Sequence, residues 1–118
     1  MKIKTNQLTG AALDWAVAKC EGIELTNGCY NRLLVDGRMS RGQEMLAPYN
    51  PSTDWAQGGP IIQREELSSL KCYSTNEWGC LNGEVFCDGP TPLVAAMRCY
   101  VASKLGEIID IPDEFYND

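Results

Sequence analysis

The chain has 118 residues, with ten lysines and arginines, sixteen aspartates and glutamates, and no histidine. A chain of this length buries roughly two-thirds of its unfolded surface, so it can build one hydrophobic core. The net charge of −6 and the scattered basic residues disfavour general nucleic-acid binding. The lack of histidine excludes Ser-His-Asp and Cys-His catalysis. Because no apolar run approaches the ~18 residues of a membrane span, and residues 1–10 lack a signal-peptide apolar region, we expect a cytoplasmic protein without membrane contact.

The first elements in chain order are predicted to be a strand, a helix and a hairpin. Residues 2–5 alternate in polarity, which favours a short strand. Apolar side chains recur every three or four residues from Leu8 to Lys19, and Gly22 follows at the position where a left-handed residue ends a helix. Strands are then predicted at residues 23–25 and 30–35, joined by a turn at Asn27-Gly28 and followed by a second turn at Asp36-Gly37.

The segment from residue 39 to residue 59 has no periodicity and is rich in Gly, Pro, Ser and Asn. Loops of this length in a compact domain are usually functional or disordered. Because disorder fits poorly with Tyr49 and Trp55 in the segment, we expect an ordered, functional loop.

The last third of the chain is predicted to form short strands at residues 72–74 and 84–87, with a turn region at 76–83, and then a second helix. Thr91 is suited to cap this helix, Pro92 to begin it and Gly106 to end it, before a final strand at residues 108–111. These elements predict a single α+β domain over residues 1–118, in which a small, mainly antiparallel sheet packs against two helices. A sheet this short leaves edges and apolar area uncovered, which favours a homodimer or larger homo-oligomer.

The six cysteines are predicted to be reduced, mostly buried thiols. No pair has the spacing of a zinc knuckle, and Cys20 and Cys99 lie within the predicted helices. We therefore expect no disulfide, no bound metal and no cofactor. The full set is Cys20, Cys29, Cys72, Cys80, Cys87 and Cys99.

Three segments of the sequence, LTGAALDWAVAKCEG, YNPSTDWAQGGPIIQRE and GPTPLVAAMRCYVASKLG, resemble those of the phage NinX family. The members of this family are small proteins from the nin region of lambdoid phage genomes. The similarity runs from Leu8 to Pro112 and identifies residues 1–118 as one NinX-like domain. The resemblance implies a phage origin, a bacterial host cytoplasm and a non-essential accessory role. It implies no activity, because none is established for the family.

The strongest candidate for a binding site is the segment YNPSTDWAQGGP. Two aromatic rings, an amide, a carboxylate and two glycines that permit close approach suit a planar heterocycle, which would stack on the rings and hydrogen-bond at its edge. The alternative is a structural loop whose Trp fills the core. The predicted ligand-binding residues are Tyr49, Asn50, Ser52, Thr53, Asp54, Trp55, Gln57, Gly58 and Gly59.

The start of the second helix is a second candidate, because free N–H groups at a helix N-terminus favour phosphate. Gly89, Thr91 and Arg98 are the predicted ligand-binding residues here. Arg98 lies about 9 Å along the helix axis from Pro92, so we expect the arginine of a second subunit to complete the site. The alternatives are an ordinary capped helix start and an arginine that is only a solvated charge.

The leading functional hypothesis is non-catalytic binding of a small, nucleotide-derived ligand, which would sequester a signal made by a host defence system. The alternative is a protein-interaction module that acts on a host or phage replication or recombination factor. An enzyme that uses Asp54 or a cysteine is disfavoured, because the sequence offers no visible activating base.

Overall fold

A computed structural model describes residues 2–23, 26–27, 33–38, 44–67 and 69–112, with the backbone alone described from 26 to 48. The described part contains three α-helices, α1 (Gly10–Glu21), α2 (Trp55–Arg64) and α3 (Pro92–Leu105), and a 3₁₀ turn at Thr5–Gln7. Its strands are β1 (Lys2–Lys4), β2 (Thr26–Asn27), β3 (Leu33–Arg38), β4 (Glu44–Pro48), β5 (Ser69–Ser74), β6 (Glu77–Asn82), β7 (Val85–Gly89) and β8 (Ile108–Asp110).

The strands of the described segments form three antiparallel sheets. In one, β1 pairs with β8 and Ile3 lies opposite Ile109. The other two have the orders β2–β3–β4 and β5–β6–β7. The predicted α+β class with antiparallel pairing is confirmed, although the strands divide among three sheets rather than one and a third helix is present. The division follows from connectivity, because each three-stranded sheet pairs strands that are consecutive in sequence and α2 separates the two groups.

The predicted C-terminal end of α1 and both predicted ends of α3 are confirmed. Helix α1 stops at Gly22, whose φ of 71° is left-handed. At the start of α3 the Thr91 side chain accepts a hydrogen bond from the Val94 N–H at 3.1 Å, and Pro92 follows where a missing amide does no harm. Helix α3 stops at Gly106, which has a φ of 94°.

Helix α3 lies at the centre of the hydrophobic core. It packs against the β5–β7 sheet, α1 and α2. A helix covered from several sides buries side chains around most of its circumference, so the single apolar stripe predicted for it is only part of its buried surface. The buried side chains of α3 are Leu93, Val94, Ala95, Ala96, Met97, Cys99, Tyr100 and Val101. None of the helices in the described part is long and apolar enough to cross a membrane.

The first predicted hairpin has a different connection from the one expected. Asn27 pairs with Leu33, so the chain returns through residues 28–32, which lie outside the described residues, and not through a two-residue turn at Asn27. Of the predicted strand at 23–25, residues 24 and 25 also lie outside the described part, and Ile23 precedes β2.

Two stretches predicted as turns are strands. The Asp36-Gly37 pair lies inside β3, where continuous pairing with β4 overrides its turn preference. Most of the predicted turn region at 76–83 is β6. Asn82 pairs with Val85, so Gly83 and Glu84 make the two-residue turn after β6. Gly83 has a φ of 62°, and a glycine at the first position of such a turn is a hairpin signal.

Helix α2 occupies part of the segment predicted as a long loop. Gly58, Gly59 and Pro60 lie inside it, and each of these residues is unfavourable in a helix interior. The helix forms because Asp54 caps its first turn and because Gly58 and Ile61 are buried in the packed protein. Tertiary packing therefore outweighs local propensity here. The prediction of an ordered loop over residues 39–59 is wrong at β4 and at the first half of α2.

Candidate functional site

The predicted binding segment is held together by hydrogen bonds among its own polar groups. Gln57 Oε1 accepts from the Asn50 N–H at 2.9 Å, while Gln57 Nε2 donates to Asn50 Oδ1 at 2.9 Å and to Asp54 Oδ2 at 3.0 Å. Asp54 Oδ1 accepts from the Ala56 N–H at 3.0 Å, and Asn50 Nδ2 donates to Thr53 Oγ1 at 3.1 Å. These side chains therefore build the turn that leads into α2, but Trp55 is exposed and does not fill the core as the structural alternative expected.

The aromatic residues and glycines of the segment also differ in their surroundings. Tyr49 is buried, whereas Trp55 has 54% of its surface exposed at the start of α2. A Cβ on Gly58 would lie 2.5 Å from the Pro51 carbonyl oxygen and 2.6 Å from Leu93 Cδ1. Gly58 is thus required for close packing, and open space surrounds Gly59.

A buried carboxylate that the sequence analysis missed lies behind this segment. Asp14 of α1 is 6% exposed, and its Oδ1 accepts a hydrogen bond from the Ser52 N–H at 2.9 Å. Burial raises the pKa of Asp14 to about 6, although hydrogen bonding from Ser52 acts in the opposite direction. The signal in the sequence was an acid inside a predicted helix that is otherwise rich in Ala.

Arg98 binds two backbone carbonyls of its own chain. Its Nε donates to the Leu8 carbonyl at 2.7 Å, and its Nη1 donates to the Asp88 carbonyl at 2.7 Å. The Asn6 side chain accepts the Asp88 N–H at 3.2 Å. Both backbone groups of Asp88 are therefore occupied by side chains from outside the sheet, so Arg98 and Asn6 anchor the edge of β7.

The glycine at the end of β7 allows this strand to approach α3 closely. A Cβ on Gly89 would lie 2.9 Å from the backbone nitrogen of Ala95. Thr91 uses its hydroxyl to cap α3. The structure thus gives both residues packing and capping roles at the start of the helix, whether or not a ligand binds there.

Gly89 and Arg98 of one chain nevertheless line the same cavity, which has a volume of about 210 Å³. No second subunit is needed to bring them together, contrary to the prediction. The cavity, here called the aromatic cavity, is also lined by Tyr73, Trp78 and Phe86 and by the polar residues Asn76, Glu77 and Asp88. None of the residues predicted between positions 49 and 59 lines it.

A second and larger cavity, of about 450 Å³, lies between β7 and the β1–β8 sheet. Phe86, Cys87 and Ile108 form part of its wall, together with Lys4 and Glu107. Burial raises the pKa of the Cys87 thiol to about 11, so this thiol is protonated and a poor nucleophile at neutral pH.

The outer face of the β5–β7 sheet carries exposed apolar side chains. Tyr73 is 57% exposed, Phe86 52% and Leu81 44%. The rings of Tyr73 and Phe86 meet edge to face, with centroids 6.4 Å apart, and both close over Gly79. We call Lys71, Tyr73, Gly79, Leu81, Phe86 and Asp88 the outer sheet face. The alternation along β6 could have revealed it, had residues 77–82 been recognised as a strand.

The described cysteines are not bridged. Cys80 and Cys87 lie opposite each other in the β6–β7 ladder, and the thiol of Cys99 contacts that of Cys80. Cys29 lies outside the described residues, so the prediction of six free thiols stays a prediction. No cluster that could hold a metal ion is found in the parts of the chain that the structure describes. The unbridged residues are Cys20, Cys72, Cys80, Cys87 and Cys99.

Comparison with known proteins gives one family. The family model described as Bacteriophage P22, NinX matches residues 4–104. This range includes all three helices except the last residue of α3, and it includes every residue that lines the aromatic cavity. No curated protein matches the chain.

Proposed function

Since the chain belongs to the phage P22 NinX family, we propose that this phage protein is a non-catalytic accessory protein that binds a small, nucleotide-derived ligand by its base. The observation that supports the proposal is the aromatic cavity, where Trp78, Gly89 and Arg98 meet. The proposed place of action is the cytoplasm of the bacterial host. A protein that sequesters such a ligand there would withhold a signal from a host defence system.

The side chains of the aromatic cavity suit a nucleobase. Tyr73, Trp78 and Phe86 line the cavity; the rings of Tyr73 and Phe86 are exposed on the outer sheet face, whereas Trp78 packs against the core. Stacking of one base on an aromatic ring contributes roughly 1–3 kcal/mol. The carboxylates of Glu77 and Asp88 are acceptors, which match the ring N–H and exocyclic amino groups of a base. The ligand proposed is therefore a base with donors along its edge.

The same cavity is poorly suited to phosphate. Arg98 already donates to two carbonyls, and the nearby carboxylates of Glu77 and Asp88 would repel an anion. The volume of about 210 Å³ is also below the ~300–1,000 Å³ typical of sites for drug-sized ligands. We therefore propose that one ring system enters the cavity and that any phosphates of the ligand remain in solvent.

Native mass spectrometry and tryptophan fluorescence test this function. Protein purified from phage-infected cells should carry an additional small mass that is released on denaturation. The purified protein should also show quenched tryptophan fluorescence when guanosine, adenosine or cytidine is added in the millimolar range. If no co-purifying mass is found and no nucleoside changes the fluorescence, the proposal is wrong.

A pair of acidic residues supplies a matched test of the site. Glu77→Gln removes one carboxylate from the aromatic cavity and should weaken nucleoside binding about tenfold, because an edge hydrogen bond to a charged acceptor is lost. Glu84→Gln alters an equally exposed carboxylate that lines only the larger of the two cavities, and it should leave the affinity unchanged. If the two variants bind nucleosides with equal affinity, the base does not bind in the aromatic cavity.

Protein binding is a second candidate function, favoured by the outer sheet face. Antiparallel sheets with one solvated face usually present polar side chains there, yet Tyr73, Leu81 and Phe86 are exposed. The proposed partner class is a host or phage replication or recombination factor. Cross-linking in infected cells, with Leu81→Lys as the control, should trap such a partner in the wild type alone.

A further inference from the structure

The outer sheet face is an apolar centre between two opposite charges. Lys71 of β5, Gly79 of β6 and Asp88 of β7 lie in one row across the three strands. In the next row, Leu81 lies between Ser69 and Phe86. The row of charges therefore has its positive end on one edge strand and its negative end on the other.

We propose that this face binds a second copy of the chain, with the two sheets packed face to face. The charge pattern of the face identifies the occupant. A two-fold axis along the central strand β6 exchanges the positions of β5 and β7, so Lys71 of each copy comes to lie opposite Asp88 of the other. Two Lys71–Asp88 pairs of this kind suit a symmetric dimer better than a partner of one charge sign. The same axis brings the two copies of the exposed Glu77, at the start of β6, to one end of the contact, so the charge match rests on the Lys71–Asp88 pairs.

The same axis places the apolar residues against one another. Leu81 lies on the central strand, so the two copies of this side chain meet near the axis, beside the rings of Phe86. Sheets that pack face to face stand ~10 Å apart with strands within about 30°, which gives room for these side chains to interdigitate. The contact would remove from water three large side chains of each copy that are now exposed.

The size of the face sets the strength of the association. The three strands have six, six and five residues and span about 14 Å by 20 Å. This area of about 280 Å² is well below the roughly 800 Å² per partner of a stable interface. We therefore expect a weak dimer with a dissociation constant in the micromolar range, detectable only over a range of concentrations. Tyr73, Phe86 and Asp88 also line the aromatic cavity, so association is measured on the protein without added nucleoside, where the outcome does not depend on the proposed function.

Sedimentation velocity of the purified protein between roughly 10 and 500 µM tests the proposal. The weight-average mass should rise with concentration from the 13.0 kDa of one chain towards twice that value. Lys71→Glu and Asp88→Lys should each weaken the dimer about tenfold, because each variant places like charges opposite one another. The double variant restores opposite charges and should recover most of the wild-type association.

Two further variants control for the apolar contact and for folding. Leu81→Lys should be monomeric throughout, whereas Trp55→Lys alters an exposed aromatic residue on α2 and should behave as wild type. Far-UV circular dichroism checks that each variant is folded. A wild type that remains a monomer at all concentrations overturns the proposal, including the case in which the face binds only a different protein. If the single variants Lys71→Glu and Asp88→Lys associate as strongly as the wild type, the proposal is overturned as well.

Discussion

The side chain of Arg98 joins three parts of the molecule that are distant in sequence. From α3 it reaches the carbonyl of Leu8, which precedes α1, and the carbonyl of Asp88 at the edge of β7. Burial lowers the pKa of its guanidinium, but hydrogen bonds to two carbonyls satisfy part of its donor set. Arg98 therefore stabilises the folded protein directly. It affects the aromatic cavity only indirectly, by holding β7 and Gly89 in place.

Replacing Arg98 should therefore affect stability more than ligand affinity. Arg98→Met keeps much of the aliphatic stem but removes both hydrogen bonds, so we expect a loss of about 2 kcal/mol in the free energy of unfolding. Arg98→Lys keeps one charged donor but not the planar fork, and should lose about half as much. Urea unfolding measures both, with Lys104→Met on the exposed part of α3 as a control that changes stability by less than about 0.5 kcal/mol. If Arg98→Met keeps the stability of the wild type but loses nucleoside binding, Arg98 is a ligand-binding residue instead.

At the scale of elements, α2 shows how two neighbouring glycines in one helix serve different purposes. Gly58 faces the Pro51 carbonyl and Leu93, where a Cβ would be closer than 3 Å to both. Gly59 has nothing within 4 Å of its Cβ position. The first glycine allows α2 to approach α3, while the second only weakens the helix.

The two glycines make a matched pair of variants. Gly58→Ala should destabilise the protein by roughly 1–3 kcal/mol, because the Pro51 carbonyl is backbone and has to shift. Gly59→Ala should raise stability by up to about 1 kcal/mol, since alanine is the better helix former and meets no atom. Thermal melts followed by circular dichroism should therefore move in opposite directions. Melting temperatures that fall equally in both variants would contradict the packing assigned to Gly58.

The elements that could be predicted from the sequence are those whose signals are local. Capping residues and terminal glycines set the ends of α1 and α3, and Thr91 is the clearest instance. Helix α2 could not be predicted, because Gly58, Gly59 and Pro60 oppose it locally and only packing against distant residues explains it. The strand β6 was predictable in principle, since Gly83 at the first position of a two-residue turn is a hairpin signal.

The candidate site was less predictable than the fold. Gly89 and Arg98 were identified from their types, but the rings that join them in the aromatic cavity come from β5, β6 and β7. Their convergence depends on the register of a sheet whose central strand had been interpreted as a turn. The opposite error arose at Asp54 and Gln57, where polar side chains suited to a ligand instead hydrogen-bond to each other.

At the scale of the whole molecule, two acidic residues make the free energy of unfolding depend on pH in opposite ways. Buried Asp14 has a pKa raised from 3.8 to about 6, so its charged form is disfavoured in the folded state. Glu21 of α1 accepts two hydrogen bonds from Arg64, at 2.6 and 2.9 Å, and one from the Tyr100 hydroxyl. Hydrogen bonding to Arg64 holds the pKa of Glu21 below its ordinary value, although burial acts against this. Glu21, Arg64 and Tyr100 come from α1, α2 and α3, so their hydrogen bonds connect all three helices.

These shifts predict a maximum of stability in mildly acidic solution. As the pH falls from 7 through about 6 towards 4, Asp14 takes up a proton in the folded state before it does so in the unfolded state, which adds up to about 3 kcal/mol. At lower pH the stability contributed by Glu21 is lost, because its carboxylate is protonated and the hydrogen bonds to Arg64 are broken. Urea unfolding from pH 3 to 8 should show both limbs.

Two variants separate the limbs of this profile. Asp14→Asn keeps an oxygen for the Ser52 N–H but cannot ionise, so it should remove the gain between pH 7 and 5 and be more stable than wild type at pH 7. Glu21→Gln should keep that gain and show a shallower loss in acid, with lower stability at neutral pH because the ion pair with Arg64 is absent. If Asp14→Asn retains the wild-type rise in stability below pH 7, another group titrates in this range. The Asp14 carboxylate would then be solvated in the folded protein, and folding would not shift its pKa.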